Sequence, residues 1–302
     1  MHYDAVVIGG SFAGLSAAIY IARARRTVCV IDARKPRNRF TAASHGFFGQ
    51  DGHDPQAMIA AARVQLQHYS TVRIISGAAS SAVAKQGGFV VTLASGETVT
   101  AARLVLAFGV SDELPALSGI AERWGKSVLH CPYCHGFEYA GQQLGVLQMA
   151  DQSAHQAMLI AEWGPTTLYL NGNAMPDEDI QKKLAQRGVT LEPAPINALL
   201  GEGTALSSLQ LADGREALIN ALYVAPRARL NSPIAEQLGC VVEEGPFGPL
   251  IRTDAAKRTS IPGVYAAGDI ARAPHSATWA SADGVTAGVS LHQSLVFEPI
   301  AA

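Results

Sequence analysis

The sequence has few charges and no long hydrophobic run. Charged residues make up 16% of the 302 residues, and the formal net charge is −2. A nearly balanced charge offers no basic surface to nucleic acid or an anionic membrane, so we expect neither as a partner. Every apolar run is well short of the roughly 18 residues that a membrane-spanning helix needs. Residues 1–4 lack the basic segment of a signal peptide, so we expect a cytoplasmic protein.

Cysteine is also scarce. Four cysteines in a chain of this length cannot form the dense disulfide framework of a small secreted domain. Cys131 and Cys134 are separated by two residues, which is the spacing of a dithiol–disulfide pair. Cys29 lies in an apolar segment and Cys240 in an irregular one, and we expect both to be inert thiols.

The cysteine pair has two other interpretations. Residues 131–135 have the C-x-x-C-H spacing at which haem is attached, but such attachment generally follows export. A structural zinc site needs about four ligands. His130 and His135 flank the pair, yet adjacent side chains cannot all point at one ion, and there is no second C-x-x-C motif. We therefore predict a redox pair and no metal site.

The sequence does have the length and the apolar content for about two domains, since 48% of its residues are hydrophobic. Apolar segments at residues 3–8 and 27–31, with a helical pattern at 15–25 between them, predict a strand–helix–strand unit. Gly9, Gly10 and Gly14 form the first turn, where backbone can approach a pyrophosphate at a helix N-terminus. Ser11 replaces the second glycine of the usual G-x-G-x-x-G motif, which leaves an ordinary turn as the alternative.

Asp32 follows the second predicted strand, 18 residues after Gly14. An acid at this position typically accepts a hydrogen bond from a ribose hydroxyl. The nearby cations Arg34, Lys35, Arg37 and Arg39 either contribute to the same site or form a solvated loop. Further along, Asp54 and Pro55 predict the start of a helix that ends near residue 68.

A second strand–helix–strand pattern covers residues 144–149, 152–162 and 166–170, and its turn at residues 148–153 contains no glycine. A side chain at the position of closest approach keeps a pyrophosphate away from the backbone. Asp213 and Gly214 predict a hairpin turn. A short strand ending in Gly268-Asp269 and a helix at residues 277–295 complete the pattern.

In their order and spacing, these motifs resemble those of the low-molecular-weight thioredoxin reductases, FAD-dependent members of the pyridine nucleotide–disulfide class. The motifs are residues 9–14, 107–109, 131–137 and 263–269. The resemblance implies an α/β fold of two Rossmann-like nucleotide-binding domains and a homodimer. The FAD domain is discontinuous, at residues 1–113 and 229–302, and an NAD(P)H-type domain that carries the C-x-x-C motif is inserted at residues 114–228.

The resemblance also implies roles for individual residues. Asp269 would bind the ribitol of FAD, and Ser276 and Ala277 would face the flavin N1–O2 edge at a helix N-terminus. The full set of expected FAD contacts is Gly9, Gly10, Ser11, Ala13, Gly14, Asp32, Arg37, Asn38, His45, Gly109, Gly268, Asp269, Ser276 and Ala277. Whether Trp279, beside the expected flavin edge, blocks a nicotinamide or only packs is left open.

The catalytic residues implied are Cys131, Cys134 and His135. By resemblance, Cys134 lies nearest flavin C4a as the charge-transfer thiolate, and Cys131 is the interchange thiol that meets the substrate. His135 stands where the family usually has an acid. A histidine can transfer protons near neutral pH, and its cation favours a thiolate. The alternative is a histidine that only packs.

The family takes electrons from NADPH through a glycine turn and a His-Arg-Arg cluster. The aligned positions here are residues 148–150 and 171–173, and neither a Gly-x-Gly nor an Arg-Arg pair occurs between residues 144 and 175. Phosphate recognition needs cations or free N–H groups. The pattern is similar to that of a subgroup that includes dithiol oxidases of the gliotoxin and holomycin type, which pass electrons to oxygen. Other members reduce thioredoxin with electrons from ferredoxin or another donor.

We therefore expect an FAD-dependent thiol–disulfide oxidoreductase that does not use NADPH directly. Its substrate would be a thioredoxin-like protein or a small dithiol. Two alternatives remain open at this point: a conventional NADPH-dependent thioredoxin reductase with a divergent site, and a non-catalytic flavin or redox-sensing module.

Overall fold

A computed structural model describes residues 2–298. The chain divides into two units, one built from the residues up to Ser111 and from Ala228 onward, the other from Asp112–Arg227. The first part of unit one and the connection out of it contain β1 (His2–Ile8), α1 (Phe12–Arg23), β2 (Val28–Asp32), α2 (Pro55–Gln67), β3 (Val72–Ser76), β4 (Ala79–Lys85), β5 (Gly88–Leu93), β6 (Thr98–Leu106) and β7 (Val110–Glu113).

The remaining elements follow in chain order. Unit two contains α3 (Ile120–Arg123), β8 (Val128–Leu129), α4 (Pro132–His135), β9 (Leu144–Leu147), α5 (Gln152–Ile160), β10 (Thr166–Tyr169), α6 (Glu178–Gln186), β11 (Thr190–Glu192), β12 (Ile196–Leu200), β13 (Ser208–Leu211), β14 (Glu216–Leu218) and β15 (Ala221–Tyr223). The return into unit one contains β16 (Arg227–Leu230), α7 (Ile234–Gln237), β17 (Val242–Gly245), β18 (Gly248–Ile251), β19 (Val264–Ala266) and α8 (Ala277–Phe297).

The main sheet of unit one has the strand order β3-β2-β1-β6-β5-β4, with β19 also paired to β6. Its β3, β2, β1, β6 and β19 run parallel, and β5 and β4 are antiparallel additions. In this register Val6 lies between Cys29 and Leu104, and all three are buried. The carboxyl ends of the parallel strands therefore meet at one edge, where such sheets bind their ligands.

Helices α1 and α8 pack closely across one face of unit one. A Cβ on Gly284 would collide with the carbonyl oxygen of Ala13, and one on Gly288 would lie 2.6 Å from that of Ala17. Helix α1 covers residues 12–23 and not the predicted 15–25. It begins earlier because Ser11 already has an extended backbone at the N-cap, and it ends earlier because Arg25 has a left-handed backbone with φ +63°.

Other local predictions are confirmed. The Asp54 carboxylate accepts a hydrogen bond from the Gln56 N–H at 2.8 Å, which caps α2. In unit two, β13 and β14 form an antiparallel hairpin across the Asp213-Gly214 turn.

Unit two is built on a five-stranded parallel sheet in the order β11-β10-β9-β15-β8. A separate antiparallel sheet contains β12, β13 and β14. The predicted α/β fold with two Rossmann-like units is confirmed. Among residues 2–298, no helix combines the length and the apolar character needed to cross a membrane.

Candidate functional site

The glycine turn between β1 and α1 brings backbone against backbone at the carboxyl edge of the first sheet. Gly9 has φ +115°, which side chains rarely adopt, and a Cβ there would collide with the carbonyl oxygen of Ala107. A Cβ on Gly14 would collide with the carbonyl oxygen of Gly9, and one on Gly10 would lie 2.6 Å from the Cβ of Asp32. The turn is therefore a cradle that only glycine permits, beside the first amides of α1.

Asp32 lies at the end of β2 and is only 8% exposed. Its Oδ1 accepts a hydrogen bond from the Arg34 N–H at 2.9 Å, and its Oδ2 forms an ion pair with Arg63 of α2. Arg63 also donates to the carbonyl oxygen of Gly10 at 3.3 Å. Arg63 was not predicted from the sequence, where a single cation in the apolar segment 57–64 is the one signal. Burial lowers the pKa of its guanidinium, which stays charged because arginine starts above about 12.

Arg37 and Asp269 meet although they are far apart in the sequence. The Arg37 guanidinium donates to Asp269 Oδ2 at 3.0 Å and to His275 Nδ1 at 2.6 Å. Asn38 lies in the same 3₁₀ turn as Arg37, which spans Arg37–Phe40. Gly268, before Asp269, has φ +81°, and its missing Cβ would lie 3.0 Å from the Cβ of Ala13. The Arg37–Asp269 pair and the close approach of Gly268 to Ala13 thus connect predicted cofactor residues from three separate segments.

The beginning of α8 contacts the loop that holds His45. Thr278 donates through Oγ1 to the carbonyl oxygen of Gly46 at 3.1 Å. The Ser276 side chain accepts from the Trp279 N–H at 3.1 Å and caps α8, whose first residue is Ala277. His45 Nδ1 itself lies 3.5 Å from Asp51 Oδ1.

Gly109 adopts φ +70° after β6, where Asn231 Nδ2 donates to the carbonyl oxygen of Phe108 at 3.2 Å. The residues of unit one fit FAD, the cofactor that the resemblance implies. The glycine cradle leaves room for a pyrophosphate, the buried Asp32 supplies ribose acceptors, and Arg63 offsets its charge. Ser11 accepts no hydrogen bond through its side chain from the first turn of α1 in the described part of the chain. The amides of this turn are therefore not capped by it, as a dinucleotide site requires.

The redox turn, defined as residues 131–136, lies in unit two. Cys131 and Cys134 form a disulfide with their Cα atoms 5.3 Å apart. Cys131 is the N-cap of the short helix α4, and the Cys134 N–H bonds back to the Cys131 carbonyl oxygen at 3.3 Å. His135 is the last residue of α4 and is partly buried. The predicted pairing of Cys131 with Cys134 is confirmed.

The segment before the redox turn is tied to the sheet. His130 Nδ1 donates to the carbonyl oxygen of Val224 at 3.4 Å, and Gln156 of α5 donates to the His130 carbonyl oxygen at 3.1 Å. The two other thiols are buried. Burial raises the pKa of Cys29 to about 11 and also raises that of Cys240. A thiol must ionise to react, so neither belongs to the exchange site.

The turn between β9 and α5 differs from the glycine turn. The hydroxyl of the fully buried Ser153 accepts hydrogen bonds from the N–H groups of Met149 at 3.0 Å and Ala150 at 3.3 Å. These are the amides that would face a pyrophosphate in a turn of this kind. The missing glycines of this turn are visible in the sequence, but the role of Ser153 is not, because serine is common at the start of a helix.

The segment after β10 contains asparagine side chains at the positions where recognition of a phosphate would need cations. Asn171 Oδ1 accepts from the Ile196 N–H at 2.8 Å, and Asn173 Nδ2 donates to the Leu170 carbonyl oxygen at 2.7 Å. Both side chains therefore serve the local fold. All predicted cofactor residues thus lie in unit one, and the three predicted catalytic residues lie in unit two.

Comparison with known proteins gives concordant matches. Residues 3–284 match the family model described as pyridine nucleotide-disulphide oxidoreductase. The thioredoxin reductase sirT of Leptosphaeria maculans is 32% identical, over 95% of this chain and 92% of that protein.

Two solved structures are similar over nearly the full chain. An oxidoreductase from Agrobacterium tumefaciens has 43% sequence identity and a TM-score of 0.94, covering 99% of this chain and 100% of that one. The structure of HlmI has 34% identity and a TM-score of 0.91, covering 97% and 92%.

Proposed function

The chain belongs to the pyridine nucleotide–disulphide oxidoreductase family, and from that premise we propose that its Cys131–Cys134 disulfide exchanges with a thiol substrate without electrons from NADPH. It is an FAD-dependent disulfide oxidoreductase of the thioredoxin reductase type. Support for independence from NADPH comes from unit two.

The observation that carries this proposal is the side chain of Ser153. Its Oγ already accepts the hydrogen bonds of the Met149 and Ala150 amides. To reach these two amides, a nicotinamide dinucleotide would have to displace the buried Ser153 hydroxyl. The positions where the family has phosphate-binding cations are Asn171 and Asn173 here, and neither side chain carries a positive charge. An anion without cations or free amides pays its full desolvation cost, so binding of NADPH in a productive position is unfavourable.

In the oxidase direction, a substrate thiolate attacks Cys131 Sγ, the Cys131–Cys134 bond breaks, and Cys134 leaves as a thiolate. The second substrate thiol then attacks the mixed disulfide at the substrate sulfur and releases Cys131. The substrate has become a disulfide, and the protein holds both electrons as a dithiol. In the reductase direction the same exchange runs backward.

His135 follows Cys134 directly, and we assign it the proton that accompanies formation and loss of the thiolate. The chemistry that FAD supplies when bound is transfer of the electron pair between the cysteines and an external acceptor or donor, such as oxygen or ferredoxin. The residues proposed to hold it include Gly9, Gly14, Asp32 and Asp269. We propose that the other predicted FAD contacts bind the same cofactor.

The proposal includes a thioredoxin-like protein or a small dithiol as substrate, a homodimer and a cytoplasmic location. Of the four cysteines, all within the described residues, two pair with each other and two are buried free thiols. That usage fits a compartment in which thiols stay reduced. Light scattering of the purified protein tests the dimer.

The test of the proposed function is anaerobic titration of the purified holoprotein, followed by flavin absorbance. Dithiothreitol should bleach the flavin and produce a long-wavelength charge-transfer band, and NADPH should do neither. Cys131→Ser and Cys134→Ser should both abolish turnover with dithiols. Cys240→Ser, at a buried thiol outside the redox turn, is the matched control and should behave as wild type.

Each outcome separates one alternative. Rapid stoichiometric bleaching by NADPH would identify a conventional NADPH-dependent reductase and overturn the argument from Ser153. No response to dithiothreitol, together with wild-type behaviour of Cys134→Ser, would leave a non-catalytic flavin module. Oxygen consumption with a dithiol, or reduction of thioredoxin with an artificial donor, would eliminate that module.

A further inference from the structure

Trp163, in the segment after α5, contacts the redox turn at two points. A Cβ placed on Gly136 would lie 2.8 Å from two carbon atoms of the Trp163 ring, so the indole lies directly against the Gly136 backbone. The ring of Tyr133, between the two cysteines, meets the indole edge-on at a centroid distance of 5.7 Å and an angle of 86°. One aromatic side chain therefore contacts the turn both between and after its cysteines.

Glycine is required at position 136 because of the space available and not because of the backbone conformation. Gly136 has φ −69° and ψ −33°, which any residue can adopt. A side chain is excluded there because it would meet the indole and, at 2.6 Å, the carbonyl oxygen of Pro132. The absence of a side chain at Gly136 is thus matched to the presence of the ring at Trp163.

The backbone of Trp163 is held by two hydrogen bonds. The Trp163 N–H donates to the Ile160 carbonyl oxygen at 2.9 Å, and the Trp163 carbonyl oxygen accepts from the Gly141 N–H at 2.7 Å. The residue therefore connects the end of α5 with the segment that follows the redox turn. The indole itself is partly buried and packs against the hydrophobic cluster of unit two that contains Ile160 and Leu168.

We propose that Trp163 is a positioning residue of the redox turn, which holds Cys131 and Cys134 in the closed geometry that favours their disulfide. The inference rests on the proposed function, since it concerns the same cysteine pair. Two thiols held in position have a high effective concentration for each other. Removal of the indole lets the turn open, lowers that effective concentration and makes the disulfide easier to reduce.

The experiment equilibrates the purified holoprotein anaerobically with mixtures of reduced and oxidised dithiothreitol. Each reduced dithiothreitol becomes a cyclic disulfide as the Cys131–Cys134 bond breaks and two thiols form, so the reaction balances. After an acid quench, alkylation and mass spectrometry of the peptide that contains both cysteines give the fraction reduced. Trp163→Ala should reach its midpoint at a ratio of reduced to oxidised reagent at least about threefold lower than wild type.

Two further variants give the control and the rescue. Trp163→Phe keeps a flat ring and should return most of the way to the wild-type midpoint. Trp124→Ala removes a partly buried tryptophan of the same unit, packed in a different cluster, and should leave the midpoint unchanged. A purely structural role of Trp163 would lower the melting temperature without moving the midpoint.

Trp163→Leu and Gly136→Ala keep the test decisive if Trp163→Ala does not fold. Gly136→Ala should shift the midpoint in the same direction, because the turn must move away from the ring. A smaller shift from Gly136→Ala in the Trp163→Leu background would support direct coupling of the two residues. Wild-type midpoints in both single variants would overturn the proposal. A wild-type pair that no mixture reduces would instead contradict the proposed function.

Discussion

The β1–α1 segment of unit one and the β9–α5 segment of unit two have the same strand–turn–helix order. They differ in the turn between the strand and the helix. In unit one, the turn after β1 has glycine at Gly9, Gly10 and Gly14, and its backbone closes against Ala107. In unit two, the turn after β9 has no glycine, and its amides bond to the hydroxyl of Ser153. One turn keeps its hydrogen-bonding capacity for a ligand, and the other uses it within the protein.

The difference between the two turns supports the proposal that unit one keeps a pyrophosphate site and unit two does not. A pyrophosphate site needs close backbone approach and unsatisfied amides together. Glycine permits the close backbone approach, and the amides stay unsatisfied only where no side chain accepts their hydrogen bonds. The turn after β9 in unit two has neither feature, while the parallel strands beside it remain in register.

Gly14→Ala should produce the largest effect, because the new Cβ would collide with the Gly9 carbonyl oxygen. Overpacking of this kind typically costs about 1–3 kcal/mol, and if that cost falls on the flavin-binding conformation of the turn, flavin affinity falls about fivefold to 150-fold. The ratio of flavin absorbance to protein after desalting measures it. Ala150→Gly, at the other turn, is the matched control and should retain full flavin. Full flavin in Gly14→Ala would contradict the cradle.

Ser153→Ala should come next, because it leaves the amides of Met149 and Ala150 without their acceptor. Because both bonds are part-buried and Met149 and Ala150 are exposed, water replaces part of the lost bonding, and we expect a cost of about 1 kcal/mol, or a few degrees in melting temperature. Ser11→Ala is the matched control at the first turn, since Ser11 makes no such capping bond. Equal shifts for both variants would mean that the two turns do not differ in this way.

The features of both turns that depend on local sequence were predictable. Period and composition predicted the strands, the helices, the cap at Asp54 and the hairpin at Asp213. The glycines indicated the cradle, and the spacing of Cys131 and Cys134 indicated the disulfide. The boundaries of the domains and the roles of individual cofactor residues stay predictions.

The features that depend on contacts between distant segments were not predictable. Arg63 contacts Gly10 from 53 positions away, and a lone arginine in a helix is ordinarily a solvated one. Trp163 gives no sign in the sequence that it faces Gly136. Ser153 occupies a common N-terminal position of a helix, and only coordinates reveal which amides it accepts from. Side-chain direction, and not element type, is what the sequence left undetermined.

Arg63→Gln should weaken flavin binding by about threefold to tenfold, because a neutral amide at this position leaves the buried Asp32 carboxylate without its cation. Fluorescence titration of the stripped protein with FAD gives the dissociation constant. Arg73→Gln is the matched control, since Arg73 pairs with the exposed Glu97 at 3.3 Å and lies outside the turn. An unchanged constant in Arg63→Gln would remove Arg63 from the cofactor site.

Glu192→Gln should produce the smallest effect, and on stability alone. Unit one has a buried ion pair at the glycine turn. Unit two instead pairs Glu192, the last residue of β11, with Arg215 of the hairpin at 2.7 and 2.9 Å. The Arg215 hydrogen bonds lower the pKa of the Glu192 carboxyl. The stabilisation is therefore present above the unfolded pKa of about 4.3 and is lost as pH falls through the lower folded value.

Because Arg215 is more than half exposed, solvent weakens the pair, and we expect a melting temperature about one to two degrees lower at pH 7. The difference from wild type should shrink as the pH falls below about 4. The exposed Glu202→Gln should show no difference at either pH, and flavin content should stay at the wild-type level in both variants. A loss of flavin in Glu192→Gln would mean that charge in unit two also serves the cofactor, and the contrast between the two units would fail there.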